Sequence, residues 1–237
     1  MKTFLNIALA LTLTAVVVSC SEPEELNPEI GFSQQIKYFV PDSTIQTLRD
    51  MGLMIHEGIQ PPNIEGIFQA SPYVMLESNV PYETYEIGSR FIDYRYQFRE
   101  QNMQDLSISL DTKGISHHTG NVISESTGKG AFLAGYDQDF TAFIMLEGYS
   151  IHGRDTSFTK SLEVISGEMT SAGIKDFQMA LVLLDDFGDP HERLIPVNTG
   201  RVFYDEDRLA GSEASFRRKM EINQDTVLPT LVQLADK

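Results

Sequence analysis

The reactive side chains of this chain do not assemble into a familiar catalytic signature. Asp185-Asp186-Phe187-Gly188-Asp189 brings three acids close together. A calcium loop would need alternating oxygen ligands and a closing bidentate Glu, and both are missing. The Asp-Phe-Gly triplet has no Gly-rich loop, strand lysine or catalytic loop to make it part of a kinase, so the stretch reads as an acidic hairpin turn. Gly128-Lys129-Gly130 lacks the first Gly of a phosphate-binding loop and the Ser or Thr after its Lys, and it too reads as a turn. His117 and His118 are adjacent, so on a strand they point to opposite faces and cannot share a metal. His56, His152 and His191 are scattered. No Gly-x-Ser-x-Gly and no His-Glu-x-x-His occurs, and the carboxylates are too numerous to single out a glycosidase pair. The expectation is a chain with no metal centre, no cofactor and no assigned catalytic residue.

Cys20 is the one residue whose position specifies chemistry. It is the only cysteine, so it has no disulfide partner within the chain. Lys2 and the apolar run from Phe4 to Val18, about fifteen residues, form a signal peptide too short for a comfortable membrane span. Val17-Val18-Ser19-Cys20 resembles a bacterial lipobox. The resemblance implies thioether lipidation of Cys20, cleavage before it and acylation of the new amine. Several acyl chains, at about 0.8 kcal/mol per buried methylene, suffice for stable anchoring. Ser21-Glu22-Pro23-Glu24-Glu25 then resembles the surface-export signal of Bacteroidota lipoproteins, and the same residues also suit a plain solvated tether. Three segments follow: a signal peptide over 1–19, an acidic disordered tether over 20–35, and a single domain over 36–237.

The net charge of −16, from 34 acidic and 18 basic side chains, argues against nucleic-acid binding and for solubility of the folded domain. About 200 residues after the tether are enough for one all-β domain.

The elements follow from periodicity. Pro41-Asp42-Ser43 offers a helix start, Ile45, Leu48 and Met51 share a face, and Gly52 can stop the helix in the left-handed region. Leu53-Met54-Ile55 reads as a brief strand. From Ile64 onward the period is two. Ile92, Tyr94, Tyr96 and Phe98 fall on one face, with Asp93, Arg95, Gln97 and Arg99 on the other. Leu106, Ile108 and Leu110 repeat the pattern, with a turn expected at Asp111-Thr112-Lys113-Gly114. Further strands are expected near 66–76, 117–126, 130–136, 139–150, 157–170, 174–185 and 199–204. Within 157–170 the apolar parity changes from Leu162 and Val164 to Ile165 and Met169, which predicts a bulge near Ile165-Ser166. Segments 139–150 and 174–185 are apolar on both faces, so something must pack on each side of them. Pro229 to Leu234 suggests a covering helix or strand.

These elements predict a mainly β, antiparallel up-and-down meander that closes into a barrel, because closure removes exposed edges. A short N-terminal helix and a C-terminal covering element, helix or strand, complete it. Residues 61–68, Ser166-Gly167-Glu168-Met169-Thr170 before Gly173-Ile174, and Gly200 to Asp205 resemble a group of Bacteroidota outer-membrane and surface lipoproteins. That resemblance implies fold and location but no particular chemistry. Gly66-Ile67-Phe68 with Arg201 also resembles lipocalin-like barrels, whose Gly-x-Trp and late Arg pack together, although Trp is absent here. The aromatic and aliphatic residues Tyr94, Tyr96, Phe98, Phe140, Ile144 and Phe177 either line a cavity for a hydrophobic small molecule or fill the core. Three functions remain open on this basis: a membrane-anchored ligand-binding barrel, a surface interaction module with a filled core, and a hydrolase with an unfamiliar site.

Overall fold

In a computed structural model, the structure describes residues 30–216. The signal peptide, Cys20, most of the tether and the Pro229 segment lie outside the described residues. Two helices, α1 (Gln34–Phe39) and α2 (Asp42–Asp50), precede the sheet. α2 ends as its sequence predicts, with Gly52 at φ +88° and Ile45, Leu48 and Met51 turned into the core. α1 begins in the last two residues of the stretch expected to be tether and runs on into the domain. Ser33 caps it by accepting the Ile36 N–H at 3.4 Å.

Twelve strands form one sheet, and every pairing is antiparallel except that of β1 (Ile59–Gln60) with β7 (Val122–Tyr136). β5 (Asp93–Asn102), β6 (Ser107–Ile115), β7, β8 (Asp139–His152), β9 (Asp155–Thr170) and β10 (Gly173–Asp185) follow one another as a meander. β12 (Leu209–Ser212) pairs with both β10 and β2 (Gly66–Ala70), and β2 pairs with β5, so eight strands close into a ring. Beyond the ring, β11 (Gly200–Asp205), β3 (Tyr73–Ser78) and β4 (Arg90–Phe91) continue from β10 as a flap.

Several local expectations are corrected. Asp111 to Gly114 lie inside β6, not in a turn. Gly128-Lys129-Gly130 is a bulge within the continuous β7, which carries one more residue than β6 across that stretch. Leu53 to Ile55 form no strand; the Met54 and His56 N–H groups bond to Gln178 and Thr141 side chains instead. Asp186 to Thr199 form a long connection rather than a tight hairpin, opening on a turn in which the Asp189 N–H donates to the Asp186 carbonyl. β9 pairs with β8 without interruption. The irregularity lies on β10, where three steps from Lys175 to Gln178 face two on β9, with Asp176 at φ +50°.

Both faces of the central strands are packed, as their composition requires. Outside the ring, α1, α2 and Leu53 cover Phe143 of β8, Leu162 and Val164 of β9, Ala180 of β10 and Val202 of β11. Phe32 meets Phe143 edge-on at 5.6 Å between ring centres. Inside, Phe68, Tyr96, Phe98, Phe140, Phe177 and Met179 belong to a second cluster.

The 66–76 stretch is interrupted at the cis Ser71–Pro72 bond into β2 and β3, and β11 and β12 are separated by a turn at the matching height. Asp205 holds the two breaks together. Its carboxyl accepts the Ser71 N–H at 2.7 Å and the Asp207 N–H at 3.1 Å, while the Glu206 N–H donates to the Pro72 carbonyl at 2.9 Å. Asp205 is fully buried. Asp205→Ala leaves the Ser71 N–H without its partner and should cost about 1–3 kcal/mol in urea unfolding. A loss below about 0.5 kcal/mol would contradict this role.

Candidate functional site

The ring interior is filled at one end and open at the other. Cross-strand neighbours share a face, so the inner surface can be followed in rows. One row runs Tyr94, Gly114, Ser124, Ser150 and Ser157 across β5 to β9. The next runs Tyr96, Thr112, Ser126, Gly148 and Thr159. Along β9 the inward positions are Ser157, Thr159, Ser161 and Glu163, followed by Ile165. Hydroxyls and an acid thus occupy positions that are apolar further along the same strand.

The small inner residues leave a cavity of about 860 Å³ at this end, within the roughly 300–1,000 Å³ usual for small-molecule sites. Its two walls differ in chemistry. Ser124, Ser126, Ser161 and Thr159 line one side, while Met179, Leu181 and Leu183 of β10 contribute to the apolar side. Aromatic rings extend the apolar side. Tyr73 stacks on Phe203 at 4.8 Å, Phe91 meets Phe203 edge-on at 5.1 Å, and Tyr94 lies 5.5 Å from Tyr73.

Glu163 is the decisive side chain. It sits between Ile144 and Leu181 in the pairing of β8, β9 and β10, is 4% exposed and lines the cavity. Its Oε2 is buried without a hydrogen-bond partner among the described residues. Burial alone pushes its carboxyl up to about 8. Burial likewise pushes the Tyr94 hydroxyl up to about 12.

The arginines at the mouth are already paired. Arg201 donates to both carboxylate oxygens of Glu83, at 2.7 and 2.9 Å. Its guanidinium lies 5.2 Å from the Tyr85 ring centre and 5.5 Å from that of Phe91. Although partial burial raises the Glu83 carboxyl, hydrogen bonds from Arg201, Ser78 and the Tyr85 N–H bring it down to about 2. The β3–β4 connection is thereby fastened over the rim. Arg193 pairs with Asp155 at 3.1 Å.

Of the residues expected to contact a ligand, Tyr94 lines the cavity. Tyr96, Phe98, Phe140, Ile144 and Phe177 are buried in the filled half, each at most 2% exposed, and belong to the core cluster. The Tyr96 hydroxyl donates to Tyr73 at 3.1 Å, and its ring meets Phe177 at 5.2 Å. Arg201 packs on Tyr85 and Phe91, whereas Phe68, its proposed lipocalin-type counterpart, lies beside Phe98 in the core. Glu163 was missed because Leu162 and Val164 beside it dominate the apolar pattern. The alternating Ser157, Thr159 and Ser161 were the signal that could have found it.

His152 lies 3.1 Å from Ser150 Oγ at the mouth, and no carboxylate orients its ring among the described contacts, as a nucleophilic triad would require. Among the described residues, no group of three His, Cys, Asp or Glu side chains gathers to hold a metal. Comparison of the chain with models of protein families, with curated proteins and with solved structures finds no match.

The raised carboxyl makes stability depend on pH. Folded Glu163 keeps its proton up to about 8, whereas the unfolded side chain loses it near 4.5. Its contribution is therefore complete at acid pH and is lost as pH rises through about 8. Ligand-free protein should lose stability between about pH 5 and pH 8, by up to about 1.4 kcal/mol per unit from this group. Asp205, which burial raises to about 7, adds a slope of the same sign up to that pH, so Glu163→Gln should lessen the slope in urea titrations and remove this contribution between about pH 7 and pH 8; an unchanged slope there would show that Glu163 is not buried as an acid.

Proposed function

We propose that the protein is a non-catalytic, membrane-anchored lipoprotein whose ring of strands is a lipocalin-like barrel holding one small amphipathic molecule. The observation that carries this reading is the change along the inner face from packed rings to a roomy, hydroxyl-lined end containing an unpartnered buried acid. Eight strands give an interior that side chains can just fill or that can hold one small ligand, and here the filled and open regimes occupy opposite ends. A ligand's apolar body fits against Tyr94, Phe203, Met179 and Leu181, with its polar head toward Glu163 and the serines. The filled half suits an interaction module equally well, and it is the open half that favours ligand binding.

Anchoring rests on the lipobox-like residues before Cys20. Placement at the outer membrane, facing outward, rests on Glu22, Glu24 and Glu25 immediately after it.

Two experiments test the parts separately. Cys20→Ala should move the chain from the membrane fraction to the wash after carbonate treatment, and its retention there would contradict the anchor. For the cavity, the full chain purified from membranes should yield a co-purifying amphiphile by mass spectrometry. Leu181→Trp, which occupies the cavity, should deplete that species while leaving the fold intact. Equal recovery from a folded Leu181→Trp protein would place the molecule elsewhere.

A further inference from the structure

We propose that the cavity selects molecules with a protonated amine on an apolar body, held by ion pairing with Glu163 and by a hydrogen bond to Ser161 on the serine wall. This rests on the reading of the cavity as a ligand site and names the class of head group it takes.

The argument comes from which charges at the site are free. Glu163 is 4% exposed, lines the cavity and lacks a partner for Oε2. Arg201 is occupied by Glu83, and Arg193 by Asp155. A carboxylate or phosphate head would therefore meet a like-charged or neutral acid at the floor and no free guanidinium at the rim. An ammonium group carries three donors and no acceptor. Glu163 offers it the opposite charge, and the hydroxyl oxygen of Ser161, two residues away on the same face of β9 and also on the cavity wall, can accept one of its remaining hydrogens. Burying that cation is favourable only when it is both paired and hydrogen-bonded, and this wall supplies both. The opposite wall, with Tyr94, Phe203, Met179 and Leu181, takes the apolar body and adds ring faces that attract a cation. At long range, the net charge of −16 draws cations toward the chain.

The pairing couples binding to proton release. In the empty cavity Glu163 holds its proton near neutrality, because burial raises it to about 8. An alkylamine, with a free pKa near that of lysine at about 10.4, arrives charged. Binding then expels the Glu163 proton, so affinity rises with pH until Glu163 ionises unaided. A neutral hydroxyl head behaves in the opposite way, since it bonds equally well to the protonated acid and gains nothing as pH rises. The groups facing Glu163 are the hydroxyls of Tyr73, Tyr94 and Tyr96 from β3 and β5, with Ile144 and Leu181 beside it on β8 and β10. Arg201 with Glu83, His152, Glu192 and Arg193 stand around the mouth. His152 is the histidine among them, so His152→Asn serves as the control for any share of the slope that is not from Glu163.

The test uses three probes of one chain length, decylamine, decanol and decanoic acid, titrated calorimetrically into the full chain. Decylamine should bind at least about tenfold more tightly than the other two at pH 8. Its affinity should fall several-fold from about pH 8 to about pH 6, by at most about tenfold per unit, and His152→Asn should keep that fall. Glu163→Gln, nearly the same shape, should bring decylamine down to the level of decanol. Should Glu163→Gln fail to fold, the comparison of amine with alcohol across pH in the unaltered chain still decides. Preferred binding of decanol or decanoic acid, or an amine affinity independent of pH, overturns the amine assignment while leaving the ligand site in place. No binding of any of the three overturns the ligand site itself.

Discussion

A carboxyl group held out of water without a hydrogen-bond partner costs about 1–3 kcal/mol even when neutral, and more when charged. Glu163 accepts that cost, and the surrounding strands leave it little freedom to escape. On the outer face of β9 its neighbours Leu162 and Val164 are buried against the α1–α2 layer. A slip of one residue would turn both inward and drive Glu163 into the helices, so the outer packing fixes the acid on the inner face. β8 and β10 hold it from either side through uninterrupted pairing at Ile144 and Leu181. The same strands supply Ile165, Ala142 and Met179 one row further in, where the interior is packed. The boundary between filled and open interior is therefore set within a single strand.

The open end also depends on how the ring is closed. β12 and β2 seal it beside the packed half, while β11, β3 and β4 diverge as a flap toward the mouth. Asp205 joins the two halves at the point of divergence by accepting backbone N–H groups from Ser71 and Asp207. The Arg201–Glu83 pair does the corresponding work at the rim, where Tyr85 and Phe91 flank the guanidinium. Cations near the mouth are thus committed to structure, and the inner acid remains the unneutralised group. The site's character follows from this division between paired outer arginines and an unpaired buried acid.

Much of the architecture was legible from alternation. The face formed by Tyr94, Tyr96 and Phe98 points inward, α2 carries its apolar side at Ile45 and Leu48, and the two-sided β8 and β10 are indeed covered on both faces. Periodicity reports which face is buried, but not what it is buried against. That is why Tyr96, Phe98, Phe140, Ile144 and Phe177 could not be divided from Tyr94 by pattern alone. The parity change in β9 illustrates the same limit. Leu162 and Val164 face the helices and Ile165 faces the core, so both parities are apolar in succession without any bulge. The inner parity began as Ser157, Thr159, Ser161 and Glu163, and those polar residues were hidden by the stronger outer pattern. Breaks such as Ser71–Pro72 and the Gly130 bulge were missed or read as turns, because whether a strand resumes in register depends on partners distant in sequence.

The most direct measurement of this account is the protonation state of Glu163 itself. Carbon-13 resonances of glutamate side-chain carboxyls, assigned in the full chain by comparison with Glu163→Gln, report ionisation group by group. The structure predicts one carboxyl titrating near 8 in ligand-free protein, well separated from the surface glutamates and absent in the variant. A Glu163 resonance that titrates near the ordinary value of about 4.3 would mean the acid is solvated or paired, and the partly filled, partly open interior described for this ring would be wrong.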